Sequence, residues 1–435
     1  MWCRATTLPS WNGSARSPAI FPTGWSRCTD SPHPAPHSHI TDLPNNTGDF
    51  AVDFRLPDDI EDFRASVSAF AAKTLAPGAL TRAHAPEFPW DVAEQMGQQG
   101  LLGLTIPEDK GGQGASLLAA VVAIQAVAAH CPRSADVIQA GNFGAIRTFA
   151  EYASPGQREK YLPNLMAGKS VIGLSMTEPE AGSAVTDLQT TAVRKDNGFV
   201  INGTKVFGTH SAEASVYLVY VRFGPGVGGI GSVLIDAGTP GLTVGEPSMF
   251  MNGEHWCQLY FEDCFVPDSQ VLLGEGGFKR QITGFNVERL GNASRSLAVG
   301  RYAFDAAVRH VTEREQFGRP LAEFQGLQWM FAERAVALES AQLLLHRAAA
   351  VGDGELPTAY DTAVAKYAAN EAGFGAADLA VQAMGGIGFS EESLVEYCFR
   401  RTRGWKIAGG STEILKNRIA ETVFDRRFSQ RAGTR

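Results

Sequence analysis

The sequence predicts an α+β protein, mostly helical, with a β domain between two helical ones. Three observations predict it. Apolar residues recur at helical spacing from Phe54 to about residue 172. From 173 to 273 the pattern changes to short apolar runs separated by turn residues. Beyond that, long helix-forming stretches return and continue almost to the C-terminus. The expected domains are a low-complexity tail (1–52), an N-terminal helical domain (53–172), a middle β barrel or sandwich (173–276) and a C-terminal four-helix bundle (277–430).

The helical elements come first. In "DDIEDFRASVSAF", Ile60, Phe63, Val67 and Phe70 stand about one turn apart, an amphipathic helix. "DVAEQMGQQGLLGLTIP" is a second helix ending in a Gly-rich turn, and "LLAAVVAIQAVAAH" reads as a buried one. Ser154 is a plausible N-cap for "SPGQREKYLPNLMAGKS", which stops at Gly168. In the β region, Asn202-Gly203 within "GFVINGTKVFGT" is a hairpin signal. "ASVYLVYVRFG", "GSVLIDAG", "LTVGEP" and "CQLYFEDCFVP" continue the strands. In the last third, residues 281–315 can run as one helix despite Gly291 and Gly300. Residues 325–352, 361–386 and 411–425 supply three more, the second of these ending at Gly385-Gly386 as a C-cap signal.

Composition excludes several classes. The 435 residues carry a net charge of -8, so a basic nucleic-acid footprint is not expected. No apolar run approaches the ~18–20 residues that span a bilayer. The six cysteines form no C-x-x-C pair and read as reduced thiols in a cytosolic setting; no metal site is expected. The first fifty residues are rich in Pro, Ser and His. They cannot bury enough apolar area to offset ordering entropy, and His33, His37 and His39 read as part of a solvated tail. Residues 1–29 contain Arg and Ser but no acid, a faint transit-peptide pattern that leaves the mitochondrial matrix open; an overlong start or a disordered tail is preferred.

Four stretches carry chemistry. "GLSMTEPEAGSAVTDL" (173–188) joins a helical to a β region and offers backbone N–H groups and hydroxyls to an anion or a polar ring edge. "KVFGTHS" (205–211) places an aromatic two residues before a hydroxyl, which alone is weak because a strand aromatic is more often core. "TEREQFGRP" (312–320) sets a guanidinium at the end of a long helix, suited to a pyrophosphate by bidentate bonds or simply favoured by the helix dipole. In "QAMGGIGF" (382–389) the bare glycines admit close approach of a pyrophosphate to the backbone.

In order and spacing these motifs, with the α–β–α domain order, resemble the acyl-CoA dehydrogenase family of flavoproteins over about residues 55–430. The resemblance implies FAD. It puts Leu174, Met176 and Thr177 on the isoalloxazine, and Ser183 on FAD or on the carrier of the acyl thioester. It packs Phe207 on the flavin and brings the Thr209 hydroxyl to N5, with Gly208 between them leaving extra room. Arg314, Gln316 and Phe317, and likewise Gln382, Gly385 and Gly386, reach the FAD of a neighbouring subunit, while Ser411 and Glu413 line the cofactor. A homo-oligomer follows, a dimer or a dimer of dimers.

Two departures stand out. The Asp that usually follows the loop serine is Ala184. The catalytic Glu that many members carry in a late E-G-T-like turn is Gly409, followed by Gly410 and Ser411; the Gly409 N–H remains available to a thioester oxygen. A branch of the family, including the isovaleryl and long-chain types, carries its Glu on the long helix directly before an Arg. Glu288-Arg289 matches it. The expectation is therefore Glu288 as the base that takes the α proton of an acyl thioester, with Asn286, Arg289, Gly409 and Gly410 at the substrate. The product is the 2-enoyl thioester, the carrier CoA or an acyl carrier protein, and the electron acceptor an electron-transfer flavoprotein. Two other readings stay open: a catalytically silent FAD-binding partner subunit, and a flavin monooxygenase or desulfinase on the same scaffold.

Overall fold

The computed structural model describes residues 54–351 and 356–430. The expectations for the N-terminal tail, including His33, His37 and His39, lie outside the described residues. Seven helices come first: α1 (Asp58–Phe70), α2 (Ala79–His84), α3 (Trp90–Gln98), α4 (Leu117–Ala128), α5 (Ala135–Asn142), α6 (Gly144–Tyr152) and α7 (Pro155–Met166). α1 starts after Pro57 with Asp58, Asp59 and Glu61 in its first turn, where carboxylates favour the positive end of the dipole. α4 is capped by the Ser116 side chain and is buried along almost its whole length, as its unbroken apolar run requires. At α7 the Ser154 hydroxyl accepts from the Gln157 N–H, and the Gln157 side chain accepts from the Ser154 N–H.

The middle part holds β1 (Ile172–Ser175), β2 (Thr191–Lys195), β3 (Gly198–Lys205), β4 (Val216–Arg222), β5 (Ile230–Asp236), β6 (Leu242–Val244), β7 (Ser248–Met249), β8 (His255–Trp256), β9 (Leu259–Pro267) and β10 (Val271–Leu273). The main sheet runs β10-β5-β4-β2-β3-β9-β6, and β1 also lies along β4. The pairing corrects one expectation. Asn202-Gly203 is not a hairpin turn but lies inside β3, paired with β9. The β2–β3 hairpin turns at Asp196-Asn197, between paired Lys195 and Gly198, and Asp196 takes a positive φ of 48°. Asn202 instead bonds Asp263 across the strands, and Gly203 lets Thr190 close on the backbone.

β1 and β2 both run parallel to β4, through Ile172–Ser175 against Val216–Val219 and through Thr191 against Arg222. The chain leaves the sheet after Ser175 and rejoins it at Thr191. The loop between is tied at its base by the buried Glu178 carboxylate. That group accepts from Lys205 Nζ at 2.7 Å, from the Thr190 N–H at 3.0 Å and from the Gln189 N–H. Arg222 holds the far end, donating to the carbonyls of Leu188 and Thr186 at 3.0 and 2.8 Å.

The C-terminal part holds α8 (Phe278–Glu313), the small hairpin β11 (Glu315–Gln316) and β12 (Arg319–Pro320), α9 (Gln325–Ala349), α10 (Ala359–Met384), α11 (Gly386–Phe389), α12 (Leu394–Trp405) and α13 (Thr412–Val423). The four long expected helices are present. α12 was not expected as a helix; it starts at the Ser393 cap and buries Val395, Tyr397, Cys398, Thr402 and Trp405. α8 and α10 run parallel in close register. Ser296 Oγ donates to the Ala369 carbonyl, and a Cβ on Gly300 would stand 2.4 Å from Gly373 Cα. Each glycine inside a helix costs roughly 1 kcal/mol in propensity. Here the cost allows two backbones to touch, which explains why Gly300 interrupts neither the helix nor its packing.

The Glu178–Lys205 pair is buried on both sides, at 5% and 1% exposure. Lys205→Met leaves an uncompensated carboxylate at the loop base, so unfolding stability should fall by about 3–5 kcal/mol. Urea titration followed by circular dichroism checks this; a midpoint equal to wild type sinks the assignment.

Candidate active site

Glu288 stands in the first half of α8 and remains partly exposed. Its carboxyl carbon lies 3.9 Å from where a Cβ on Gly144, the first residue of α6, would stand. Burial pushes its pKa up; Arg295, Lys366 and Arg289 pull the other way, and Asn292 acts on it as a hydrogen-bond donor. On its sheet side the neighbour is Tyr220 of β4, whose hydroxyl is pushed up by burial and then by the Glu288 charge. Tyr220 belongs to an apolar cluster with Phe285, Ile146 and Phe149, against which Leu174 and Met176 pack. So the expected base sits one helical turn from a side chain that shares a core with the expected flavin strip.

On its other side Glu288 meets the glycine turn. Gly409 and Gly410 have φ of 68° and 95°, left-handed values that glycine adopts without steric cost. A Cβ on Gly409 would stand 2.5 Å from Asn292 Nδ2 and 3.6 Å from Lys366 Cε. The space a side chain at 409 would need is taken by Asn292, one turn along α8 from Glu288. Asn292 Oδ1 in turn accepts from Arg295, which donates to Asp136 at 2.7 Å. Lys366 of α10, fully buried, donates to the carbonyls of Trp405, Ala408 and Gly410 at 3.1, 2.9 and 3.0 Å. Burial lowers its pKa to about 7, with Arg289 adding to the effect and Glu288 opposing it. Arg289 bonds Asn286 at 3.3 Å and approaches Gly410, while its Nε is buried without a partner.

Behind this turn lies a buried ionic cluster that joins the helical parts to the β7–β8 hairpin. Asp136 meets Arg295, Arg401 and Arg133 at 2.7, 2.8 and 3.3 Å, and Glu254 meets Arg133 and Arg401. Burial opposes ionisation of Asp136, but the three guanidinium groups hold its carboxyl well below the usual range. Trp405 lies under two of them, with Arg401 4.8 Å and Arg295 5.1 Å from its ring centre. Burial and then Arg133 push the neighbouring His210 down to about 3, so this ring is neutral.

The expected cofactor residues fall into three places. The first is the strip formed by Leu174, Met176 and Thr177 with Phe207 and Thr209, where the Leu174 N–H bonds the Thr209 carbonyl at 3.2 Å. Phe207, 56% exposed with φ 56°, packs at 4.4 Å between ring centres against Trp256. Gly208 leaves no extra room there: a Cβ would stand 3.0 Å from the Leu174 carbonyl, so the glycine is what lets the two segments approach. Ser183 is exposed at the tip of the 176–190 loop. The second place is the β11–β12 hairpin, where Arg314, Gln316 and Phe317 are exposed, Phe317 to 93%. The third is the α10–α11 corner. Gln382, Gly385 and Gly386 are exposed, and nothing stands within 4 Å of a Cβ on either glycine. Ser411 caps α13, accepting from the Ile414 N–H, and Glu413 lies in that helix's first turn, beside the glycine turn.

These positions fit a flavin dinucleotide: an exposed aromatic strip, an uncrowded glycine corner and free guanidinium donors. They do not converge within one chain around a single cavity. The strip faces the Glu288 region, while the hairpin and the glycine corner stand open at the ends of α8 and α10. Sequence reasoning missed Asn292, Lys366, Arg295, Asp136 and Trp256. No motif marks them; the only local signal is an Asn at one-turn spacing from Glu288. Among the described residues no His, Cys, Asp and Glu group could hold a metal ion. Nor is any described helix long and apolar enough to cross a membrane.

Comparison with known proteins agrees with this fold. The acyl-CoA dehydrogenase N-terminal, middle and C-terminal domain families match residues 57–169, 173–264 and 275–424. A 3-sulfinopropanoyl-CoA desulfinase of Paraburkholderia xenovorans is 33% identical over 386 residues, 87% of this chain and 99% of the relative. The solved glutaryl-coenzyme A dehydrogenase in complex with glutaryl-CoA superposes with a TM-score of 0.82 at 30% identity, covering 88% of this chain and 99% of that one. An FAD complex of PigA superposes with a TM-score of 0.80 at 25% identity, covering 86% and 99%. The chain belongs to the acyl-CoA dehydrogenase family, FAD-dependent oxidoreductases that act on CH–CH donors.

Proposed function

We propose that the protein dehydrogenates an acyl thioester to its 2-enoyl thioester, with Glu288 taking the α proton. The observation that carries this reading is the position of the Glu288 carboxyl. It lies between the Leu174–Met176 side of the sheet and the Gly409 turn, with its pKa raised by burial. The α C–H of a thioester is a weak acid. Its removal needs a base of raised pKa and a donor on the thioester oxygen. Glu288 supplies the first and the Gly409 N–H the second. As the proton leaves, its electron pair forms the Cα=Cβ bond and the β hydrogen departs with its own pair. Bound FAD supplies the acceptor for that hydride. Leu174, Met176, Thr177, Phe207 and Thr209 would hold its ring, with Ser183, Ser411 and Glu413 near its edge. Arg314, Gln316, Phe317, Gln382, Gly385 and Gly386 would hold the dinucleotide of a second copy in a homo-oligomer. Asn286 and Arg289 flank the acyl group. CoA or an acyl carrier protein serves as carrier, and an electron-transfer flavoprotein as electron acceptor.

One observation favours a second reading, a desulfinase acting on an acyl group with an anionic end. The chain carries a net charge of -8, yet Arg133, Arg289, Arg295, Lys366 and Arg401 outnumber Asp136, Glu254 and Glu288 around the buried site. Such an excess suits an anionic substrate group. Release of sulfite from 3-sulfinopropanoyl-CoA without formation of an enoyl thioester would replace the first reading with this one.

Glu288→Gln should lower the rate of flavin bleaching by an acyl-thioester panel about 100- to 10,000-fold while FAD stays bound, measured anaerobically by stopped flow. Wild-type bleaching rates in this variant would remove the mechanism, and an inert FAD-bearing wild type favours a silent subunit. The rate should rise with pH through the raised Glu288 pKa, because only the ionised carboxylate accepts a proton. Asn292→Ala removes a donor that favours the ionised form, so the rising limb should move to higher pH. An unmoved limb counts against the contact.

A further inference from the structure

Three carbonyls of the glycine turn accept from one side chain, Lys366. We infer that Lys366 is a positioning residue for the thioester-oxygen donor: its ammonium gathers three carbonyls of the 405–410 turn and thereby aims the Gly409 N–H at the substrate. This inference rests on the acyl-thioester reading above and deepens it.

The argument is geometric. Lys366 is fully buried, and its Nζ reaches the carbonyls of Trp405, Ala408 and Gly410 but no carboxylate at ion-pair distance among the described residues. Burying an ammonium is costly unless its protons find acceptors. Here they find the carbonyls of one turn, of which those of Ala408 and Gly410 have no other donor among the described residues. The described peptides are all trans, and a trans peptide is planar with its C=O and N–H on opposite sides. With the Ala408 carbonyl turned to Lys366, the Gly409 N–H must point the other way. It makes no hydrogen bond to any described residue. Asn370, one turn further along α10, adds a bond from Nδ2 to the Trp405 carbonyl at 2.9 Å, so one helix face clamps the turn. Gly409 and Gly410 are the residues whose positive φ values permit this carbonyl arrangement.

The same ammonium acts on the base. Glu288 is faced by Arg289 and Arg295 from its own helix, by Lys366 from α10 and by Tyr220 from β4. Removing the Lys366 charge takes away one cation that favours the carboxylate.

The test uses the full-length, FAD-loaded protein, its Lys366→Met and Lys366→Gln variants, and 2-butenoyl-CoA as probe. Raman difference spectra report the carbonyl stretch of the bound probe, and stopped flow with butanoyl-CoA reports turnover. In wild type the stretch should move to lower frequency on binding. In Lys366→Met that shift should be lost and kcat should fall about 10- to 100-fold with a smaller change in KM. The rising limb of the pH profile should move up, and Lys366→Gln should be intermediate because it keeps a donor. A folded variant with the wild-type carbonyl shift and pH profile overturns the assignment. So does failure of both variants to fold or to hold FAD, which makes Lys366 a stability residue. A wild type that turns over beside an unaffected variant sinks only the Lys366 role. A wild type with neither turnover nor carbonyl shift sinks the acyl-thioester reading itself.

Discussion

The backbone contact between Gly300 of α8 and Gly373 of α10 sets the distances on which the site depends. Two helices with side chains at that crossing would stand about 8–10 Å apart. With a glycine on each, the backbones touch. Because the helices run parallel in one register, the contact propagates toward their N-terminal halves. Ser296 meets Ala369, and two turns before the crossing Asn292 and Lys366 both reach the Gly409 turn. A wider crossing would part Lys366 on one helix from Glu288 and Asn292 on the other.

Charge is the second organising feature. Among the described residues the chain buries four cations, Arg133, Lys205, Arg295 and Lys366. The Asp136 cluster ties α5, α8, α12 and the β7–β8 hairpin together, and it ends at Asn292, beside the proposed base. Glu288 is thus held between two opposing influences: burial favours its neutral form, and the surrounding cations favour the carboxylate. A base needs this balance, since a carboxylate with an ordinary pKa pulls weakly on a thioester α proton and one that never ionises does not pull at all. The loss of a carboxylate at 409 and the presence of Asn292 are two sides of one packing fact, because both compete for the same space.

Much of the fold was legible in the chain. The change of apolar period located the helical and β regions, and the Ser154 cap marked where α7 begins. The misreadings have physical causes. Asn202-Gly203 has the composition of a tight turn, but its flanking residues pair with β9, and a glycine was needed there for Thr190. α12 escaped because its glycine-rich and arginine-rich neighbours mask an apolar face that only the α8–α10 groove reveals. Gly208 reads as spare room in one dimension and as a close contact in three.

What the sequence by itself determined is what local chemistry dictates: helices and strands by their periods, the missing carboxylate at 409, and a Glu-Arg pair on the long helix. Backbone propensity and side-chain identity are properties of neighbours along the chain. What only the tertiary structure decided is company. Lys366 lies in an ordinary helical stretch and Asp136 in another; of the partners named for them, only Arg133, three residues before Asp136, is a near neighbour in the chain. Their roles come from long-range packing, where the cost of burying a charge is met by groups more than thirty positions away, as Lys366 is met by the carbonyls of Trp405, Ala408 and Gly410.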